Sequence, residues 1–156
     1  DSDPAPGATG TFSNFYDIAY DGDAVVFTAL ARNGDDAFWE GIYVSDGREV
    51  RLLADENTAI PEGQGVFDDF GFNSSSGGQP AISECRIVFT ASGEQSQSGI
   101  YADFGDGLFK VVDQQDLRAG RDFAYAAFDS YSVNRAVIRG ETILFSNNEF
   151  GVYGGV

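Results

Sequence analysis

Two short hydrophobic motifs, which we call words, recur along the chain in a fixed order. A polar stretch of variable length separates them. The first word is an aliphatic pair followed by phenylalanine, and the second is glycine, an aliphatic residue and tyrosine. The copies are VVFTALARNGDDAFWEGIY (25–43), IVFTASGEQSQSGIY (87–101) and ILFSNNEFGVY (143–153). The stretch between the words shortens from 13 to 9 to 5 residues. Because strand pairing is fixed while loops vary freely, the pattern predicts two paired strands joined by a solvent-exposed loop.

Further elements on either side of these words complete a repeated unit. An aromatic pair at i, i+3 precedes each copy, at Phe12/Phe15, Phe67/Phe70 and Tyr125/Phe128. Asp-Gly turns, which favour hairpins, lead into the apolar runs EVRLLAD (49–55) and LFKVVD (108–113). Pro/Gly links at 6–12 (PGATGTF) and 61–67 (PEGQGVF) resemble each other. The chain is therefore predicted to be all-β, with four short antiparallel strands in each unit and units at 6–60, 61–118 and 119–156.

Consecutive apolar residues within the predicted strands indicate that both faces of each sheet are covered. Val25, Val26 and Phe27 are adjacent, as are Ile87, Val88 and Phe89. A sheet with one wet face would alternate apolar and polar residues. Four-stranded sheets that stack on one another cover both faces of each internal sheet without helices. An immunoglobulin-like sandwich is the main rival, but it does not explain a threefold repeat.

The unit of turn, VVF, GIY, Asp-Gly and RLL resembles the four-stranded blade of TolB-type β-propellers. The fuller pattern, with the aromatic pair and the link P-x-G-x-G-x-F, also resembles tandem repeats of large secreted or surface-anchored bacterial proteins. The similarity spans nearly the whole chain. It implies propeller-like blades and an extracellular or cell-surface location, and it brings no catalytic motif.

The third unit stops where its fourth strand should begin, so we expect that the chain alone does not close a ring. Closed propellers need at least about four blades. An open sheet edge is expected at Gly151, Val152, Tyr153 and Val156, and such edges recruit partners. Three outcomes stay open: a longer parent chain, two copies in a six-bladed ring, or a filament built by strand donation. We expect self-association or a longer parent.

The charge narrows the range of partners. The formal net charge is −16, and Lys110 is the single lysine. Such a surface repels phosphate, so neither nucleic acid nor an anionic membrane surface is an expected partner. The chain also lacks a run of about 20 apolar residues, and membrane insertion is not expected.

Catalysis and metal binding have weak sequence support. The chain has no histidine, which excludes Ser-His-Asp and Cys-His arrangements, and Cys85 is interpreted as an incidental turn residue. A carboxylate pair acting on glycosides is a remote alternative. No cofactor is expected, although calcium could bind at Asp35, Asp36, Asp103 and Asp106, with Asp68 and Asp69 as further acidic positions.

Phe38 and Trp39, in the longest predicted loop, are the candidate binding residues. They could contact a protein or a sugar ring, although a large aromatic side chain more often folds back over its sheet. Residues 72–79 are predicted to be a polar surface insertion. The leading hypothesis is a non-catalytic structural or adhesive repeat protein that assembles through sheet edges. A ligand-binding propeller fragment is the alternative.

Overall fold

A computed structural model describes residues 3–7, 10–32, 37–71, 79–116, 136–146 and 152–154. Within these ranges the regular structure consists of β-strands and one short 3-10 turn, at Glu94–Ser96. The strands form three antiparallel sheets in chain order. The all-β prediction is therefore confirmed. No helix in the described part of the chain is long and apolar enough to span a membrane.

Sheet I has four strands in sequential order. They are β1 (Thr11–Asp21), β2 (Ala24–Arg32), β3 (Phe38–Ser45) and β4 (Val50–Asp55). The turn between β3 and β4 contains the predicted Asp-Gly pair. Asp46 Oδ1 accepts the backbone N–H groups of Arg48 and Glu49 at 2.9 and 3.0 Å. These bonds lower the pKa of Asp46 and hold the hairpin turn.

Sheet II repeats this plan with its first strand in two pieces, and sheet III keeps three described strands. The strands of sheet II are β5 (Phe67–Asp69), β6 (Ala81–Ser83), β7 (Arg86–Gly93), β8 (Gln97–Asp103) and β9 (Leu108–Asp113). Those of sheet III are β10 (Ala136–Arg139), β11 (Thr142–Ser146) and β12 (Val152–Gly154). Both β5 and β6 pair with β7. They occupy the two ends of the place that β1 fills in sheet I.

The registers of the sheets coincide residue by residue. The phenylalanine of the first word pairs with the tyrosine of the second word in every sheet: Phe27 with Tyr43, Phe89 with Tyr101, and Phe145 with Tyr153. The third and fourth strands also share an irregularity, which follows Ile42 in sheet I and Ile100 in sheet II. The repeated words therefore mark equivalent positions in equivalent sheets.

The prediction that everything between the two words hangs in solvent is wrong. Pairing of β2 with β3 continues to Arg32 and Phe38, and pairing of β7 with β8 continues to Gly93 and Gln97. Most residues that follow the first word in β2 and β7 are small or β-branched, and Ala29 is fully buried. They extend the strands because small and β-branched side chains fit the crowded pleated surface of a sheet. From the first copy to the second, the distance between the words therefore changes because the two strands, taken together, and the connection between them each become two residues shorter.

The Pro/Gly links have the same hydrogen bonds in both described copies. Ala5 N donates to the Gly10 carbonyl at 3.0 Å, and Ile60 N donates to the Gly65 carbonyl at 3.2 Å. Ala5 and Ile60 are both buried, and each contributes to a hydrophobic cluster. The third link, within 119–125, lies outside the described residues. The sequence match between the first two links therefore accompanies an equivalent backbone hydrogen bond in each.

The sheets pack face to face, and each of the two internal cores is shared by neighbouring sheets. The core between sheets I and II joins Val26, Ile42, Val44 and Ala54 to Phe67, Phe70, Ile87 and Phe89. The core between sheets II and III joins Val88, Ile100, Ala102 and Val112 to Ala136, Ile143 and Phe145. Adjacent residues such as Ile87 and Val88 serve opposite cores. This packing explains why the strands are apolar at consecutive positions.

Candidate functional site

Phe38 and Trp39, the predicted binding residues, are separated by the alternation of β3. Trp39 packs against the sheet I cluster that contains Phe12, Phe27 and Tyr43, and it is only partly exposed. Phe38 is exposed, and the guanidinium of Arg32 lies 5.6 Å from its ring centroid. Trp39 therefore folds back over its sheet, and Phe38 is the aromatic side chain that solvent can reach.

The predicted calcium ligands are not brought together in the described residues. Asp35 and Asp36 lie outside them. Asp103 is buried, where its Oδ1 accepts the N–H of Gly105 at 2.7 Å and its Oδ2 lies 3.8 Å from Arg51 Nη1. Asp106 is exposed on the same turn. Within the described ranges, no group of three acidic or cysteine side chains is arranged to hold a metal ion.

The predicted assembly edge falls on the last described strand. Val152 and Tyr153 belong to β12, which pairs with β11 and ends the strand order of sheet III in the described structure. Gly151 and Val156 lie outside the described residues. The backbone of β12 therefore forms the edge of sheet III in the described structure.

Cys85 lies in the turn between β6 and β7, at the position that Asp23 holds between β1 and β2. It is exposed, and both Glu84 and Cys85 have positive φ angles, of 52° and 63°. Glu84 N donates to Asp21 Oδ2 at 2.6 Å, which ties this turn to the corresponding turn of sheet I. The position of Cys85 is therefore that of a turn residue beside a sheet junction.

Carboxylates at the junction of sheets I and II were missed as a group by sequence reasoning. Glu40 is buried, and its Oε2 accepts the N–H of Phe70 in the neighbouring sheet at 2.9 Å. Glu56 Oε1 accepts the N–H of Glu40 at 3.2 Å. Burial, followed by the charges of nearby aspartates, raises the pKa of both Glu56 and Asp68. The one indication of this group in the sequence is Glu40, a charged residue inside an otherwise apolar strand.

Lys110, on β9 of sheet II, neutralises part of the negative charge around it. Its Nζ lies 3.4 Å from Asp113 Oδ2 and 3.2 Å from Asp116 Oδ1. Burial lowers the pKa of Lys110, but the hydrogen bond to Asp116 and the charges of both aspartates outweigh burial and raise it. Asp113 itself is buried and accepts the N–H of Gln115 at 2.8 Å. These contacts make the group a structural ion pair at the end of β9.

The first face of sheet I carries large apolar side chains that solvent reaches. We call the side of a sheet that points towards the start of the stack its upstream face. The opposite side, which points towards the next sheet, is its downstream face. On the upstream face of sheet I, Phe15 is 51% exposed, Ile18 66% and Tyr20 78%. Phe70, which matches Phe15, is 0% exposed because the downstream face of sheet I covers it.

The last face of sheet III shows the complementary exposure. On its downstream face Val137 is 51% exposed and Leu144 43%. Val26 and Val88, which match Leu144, are both 0% exposed inside the two internal cores. The two end faces of the stack therefore expose apolar side chains to solvent. Side chains at the matching positions inside the stack are buried.

Polar contacts between neighbouring turns accompany the shared cores. Ser83, which matches Asp21, accepts the N–H of Gly140 at 3.2 Å, so the first-strand turns are linked in the same way at both junctions. Arg86 also pairs with Glu141 of the next turn, with Nη2 to Oε1 at 3.2 Å. A junction between sheets thus combines an apolar centre with charged or polar contacts at the turns.

Comparison with known proteins places the chain in a family without assigning it an activity. No curated protein and no solved structure matches it. A match to the family of unknown function DUF7453 covers residues 1–149. The chain therefore belongs to the DUF7453 family.

Proposed function

We propose that this chain is a non-catalytic structural or adhesive repeat protein that works by self-association. The observation that carries the proposal is the exposure of Phe15 and Leu144 at positions whose counterparts are fully buried. Removal of such apolar surface from water lowers the free energy of the system and so favours association. The sheets act as propeller-like blades, and the blade edge at β12 is a further contact surface.

A structural role is also supported by the way the buried acidic side chains are used. Asp55 accepts the N–H of Asn57 and the hydroxyl of Thr58, and Asp113 accepts the N–H of Gln115. These aspartates hold the turns that follow β4 and β9. Carboxylates committed to backbone bonds stabilise the turns in which they lie.

The location and metal content of the protein belong to the same proposal. The resemblance to repeats of secreted and surface-anchored proteins favours an extracellular or cell-surface location. The formal charge of −16 suits a protein that attracts cations. Calcium is therefore included as a condition of the test.

Light scattering during size-exclusion chromatography tests this proposal. The chain is run over a range of concentrations, with calcium and with a calcium chelator. The expected result is a mass above the 16.7 kDa of one chain that rises with concentration. A strict monomer at all concentrations and in both buffers would rule out self-association.

A second candidate function, binding of a glycan or protein ligand, is favoured by the exposure of Phe38 beside Arg32. An exposed aromatic ring can stack on a sugar or fill a pocket of a partner. A glycan array probed with wild type, Phe38→Ala and Trp39→Ala distinguishes the two aromatics. Binding that is lost in Phe38→Ala and kept in Trp39→Ala is expected. No binding by wild type would remove this candidate.

A further inference from the structure

We propose that the upstream face of sheet I docks on the downstream face of sheet III of a second copy, so that two chains close one ring of six sheets. This inference rests on the proposed self-association and names the surfaces that would meet. The occupant of each open face is thus another molecule of this chain. The alternative, association through the β12 edge, is an outcome of the test below.

The internal junctions define what the open faces are built to bind. At both of them, a downstream face with small and aliphatic residues, such as Val26 and Ile42 or Val88 and Ile100, covers the upstream face of the next sheet. The downstream face of sheet III has Val137 and Leu144 at the matching described positions. Val152 stands at the register position of Ile42 and Ile100. A second copy therefore supplies the same chemistry that already covers sheets II and III.

The upstream face of sheet I fits such a partner by the same equivalence. Tyr20 is in the register position of Ile82 and Ile138, which pack against the two internal cores. Phe15 contacts Phe12 and Phe27, with ring centroids 5.2 and 5.5 Å apart, just as Phe70 contacts Phe67 and Phe89 in sheet II. The aromatic cluster is thus already formed on the open face, and docking requires no rearrangement of it.

Charge at the turns favours the same pairing. At the internal junctions the last residue of the first strand, Asp21 or Ser83, contacts the turn of the next sheet. The equivalent residue of sheet III is Arg139, and the turn that it would meet in a second copy contains Asp23. Both are exposed in the single chain. Opposite charges thus meet at the new junction in a chain that otherwise repels itself.

Closure into a ring follows from the kind of contact. Pairing of unlike faces is heterologous, so it either closes or continues into a filament. Two copies of three sheets give a ring of six, within the range of closed propellers. Such a dimer buries both open faces of both chains. The expected mass is therefore twice 16.7 kDa.

Mixing two face variants tests the head-to-tail contact. Tyr20→Glu disables the upstream face, and Leu144→Glu disables the downstream face. Each variant alone should dimerise roughly tenfold more weakly than wild type, because a charge enters the apolar contact. An equimolar mixture should regain association, because one junction then joins two intact faces. Gln95→Glu is the matched control, because it adds the same charge at an exposed position of sheet II, on neither open face, and it should leave the mass unchanged.

Charge exchange at the turns provides the second measurement. Arg139→Glu and Asp23→Arg should each weaken dimerisation, and the chain carrying both should recover it. Circular dichroism should remain that of wild type for all these exposed substitutions. Sedimentation velocity supplies the dissociation constants.

The outcomes separate this inference from the proposed function. If wild type self-associates but neither face variant weakens it, the docking surfaces named here are wrong and self-association itself stands. If only one face variant weakens it, like faces meet and the head-to-tail contact is overturned. Open polymers that both variants dissolve would overturn closure. A wild-type monomer would overturn the proposed function together with this inference.

Discussion

At the residue scale, the glycines of the first two Gly-aliphatic-Tyr words lie opposite an aspartate of the neighbouring strand. Gly41 pairs with Asp55, and Gly99 pairs with Asp113. A β-carbon on Gly99 would lie 2.6 Å from the Val112 carbonyl oxygen, and one on Gly41 would lie 2.9 Å from the corresponding oxygen of Ala54. The word keeps its glycine because the backbone of the paired strand fills the space that a side chain would need.

Alanine at these glycines should therefore destabilise the fold. We expect Gly99→Ala to lower the free energy of unfolding by about 2 kcal/mol, through overpacking against a backbone atom that moves little. Gly41→Ala should cost less, because its closest contact is longer. Urea denaturation measures both. Equal stability of Gly99→Ala and wild type would contradict this explanation of the repeated glycine.

Tyr101 has a buried hydroxyl that has no hydrogen-bond partner among the described residues. Burial, followed by the charges of Asp113 and Asp116, raises the pKa of Tyr101 well above its ordinary value. Replacing the residue with phenylalanine removes an unsatisfied polar group and keeps the ring packing. We expect Tyr101→Phe to match or exceed wild-type stability, by up to about 1 kcal/mol in thermal or urea unfolding. A loss of that size would mean that the hydroxyl is bonded.

At the scale of elements, the first strand is continuous in sheet I and interrupted in sheet II. The strand β5 pairs with β7 as the beginning of β1 pairs with β2, with Phe67 opposite Gly93 and Phe12 opposite Ala31. The strand β6 pairs as the end of β1 does. The predicted insertion at 72–79 falls between them, and most of it lies outside the described residues.

Removal of residues 72–78 should convert β5 and β6 into one strand like β1. The flanks then read FDDFGQPA, against FSNFYDIA in sheet I. Because loop closure costs little and the flanking register is already correct, we expect stability within about 1 kcal/mol of wild type. Urea unfolding measures the difference. A cooperative unfolding transition that disappears would show that the inserted residues are required by the fold.

The repeated words predicted the sheets well because register in a buried sheet is set by apolar positions. Phe89 and Tyr101 were matched to Phe27 and Tyr43 from sequence, and the pairing follows that match. The hairpin lengths could not be predicted, because Thr28 and Thr90 are equally acceptable in a loop or a strand. The tertiary packing that buries both threonines favours the strand. The role of Glu40 depends on the Phe70 N–H of another sheet, which local sequence does not encode.

The open faces were also beyond the sequence pattern. Phe15 and Phe70 are equivalent in sequence, yet one is exposed and the other buried. The difference arises from position in the stack, since sheet II has a preceding sheet in this structure and sheet I has none. A repeat pattern predicts what each sheet can bury, and the order of the sheets determines what stays uncovered.

At the scale of the whole molecule, carboxylates crowded at the sheet junction oppose the fold near neutral pH. The folded-state pKa values of Glu56 and Asp68 are raised by burial and then by neighbouring aspartates, so the folded chain binds protons more readily than the unfolded chain. Stability therefore falls as pH rises from the ordinary carboxyl pKa, near about 4, through the raised values. Asp46, whose pKa is lowered, loses its contribution only below that window.

We therefore expect the free energy of unfolding to be higher at about pH 5 than at pH 7. Glu56→Gln keeps the oxygen that accepts the Glu40 N–H and removes the charge. It should raise stability at pH 7 by up to about 0.5 kcal/mol, a small gain because the group is partly exposed and screened. It should also flatten the pH dependence. Urea titrations at both pH values measure this, and stability that rises steadily from pH 5 to pH 7 would contradict it.

The central claim is that consecutive sheets stack in chain order and share cores with their neighbours. Methyl-to-aromatic nuclear Overhauser effects in the isotope-labelled chain test it most directly. The methyl groups of Val26 and Ile42 should show contacts to the Phe67, Phe70 or Phe89 rings of sheet II. Those of Val88 and Ile100 should show contacts to the Phe145 ring of sheet III. Contacts from Val26 or Ile42 to Phe145, with none to sheet II, would instead indicate a two-layer sandwich and contradict the stack.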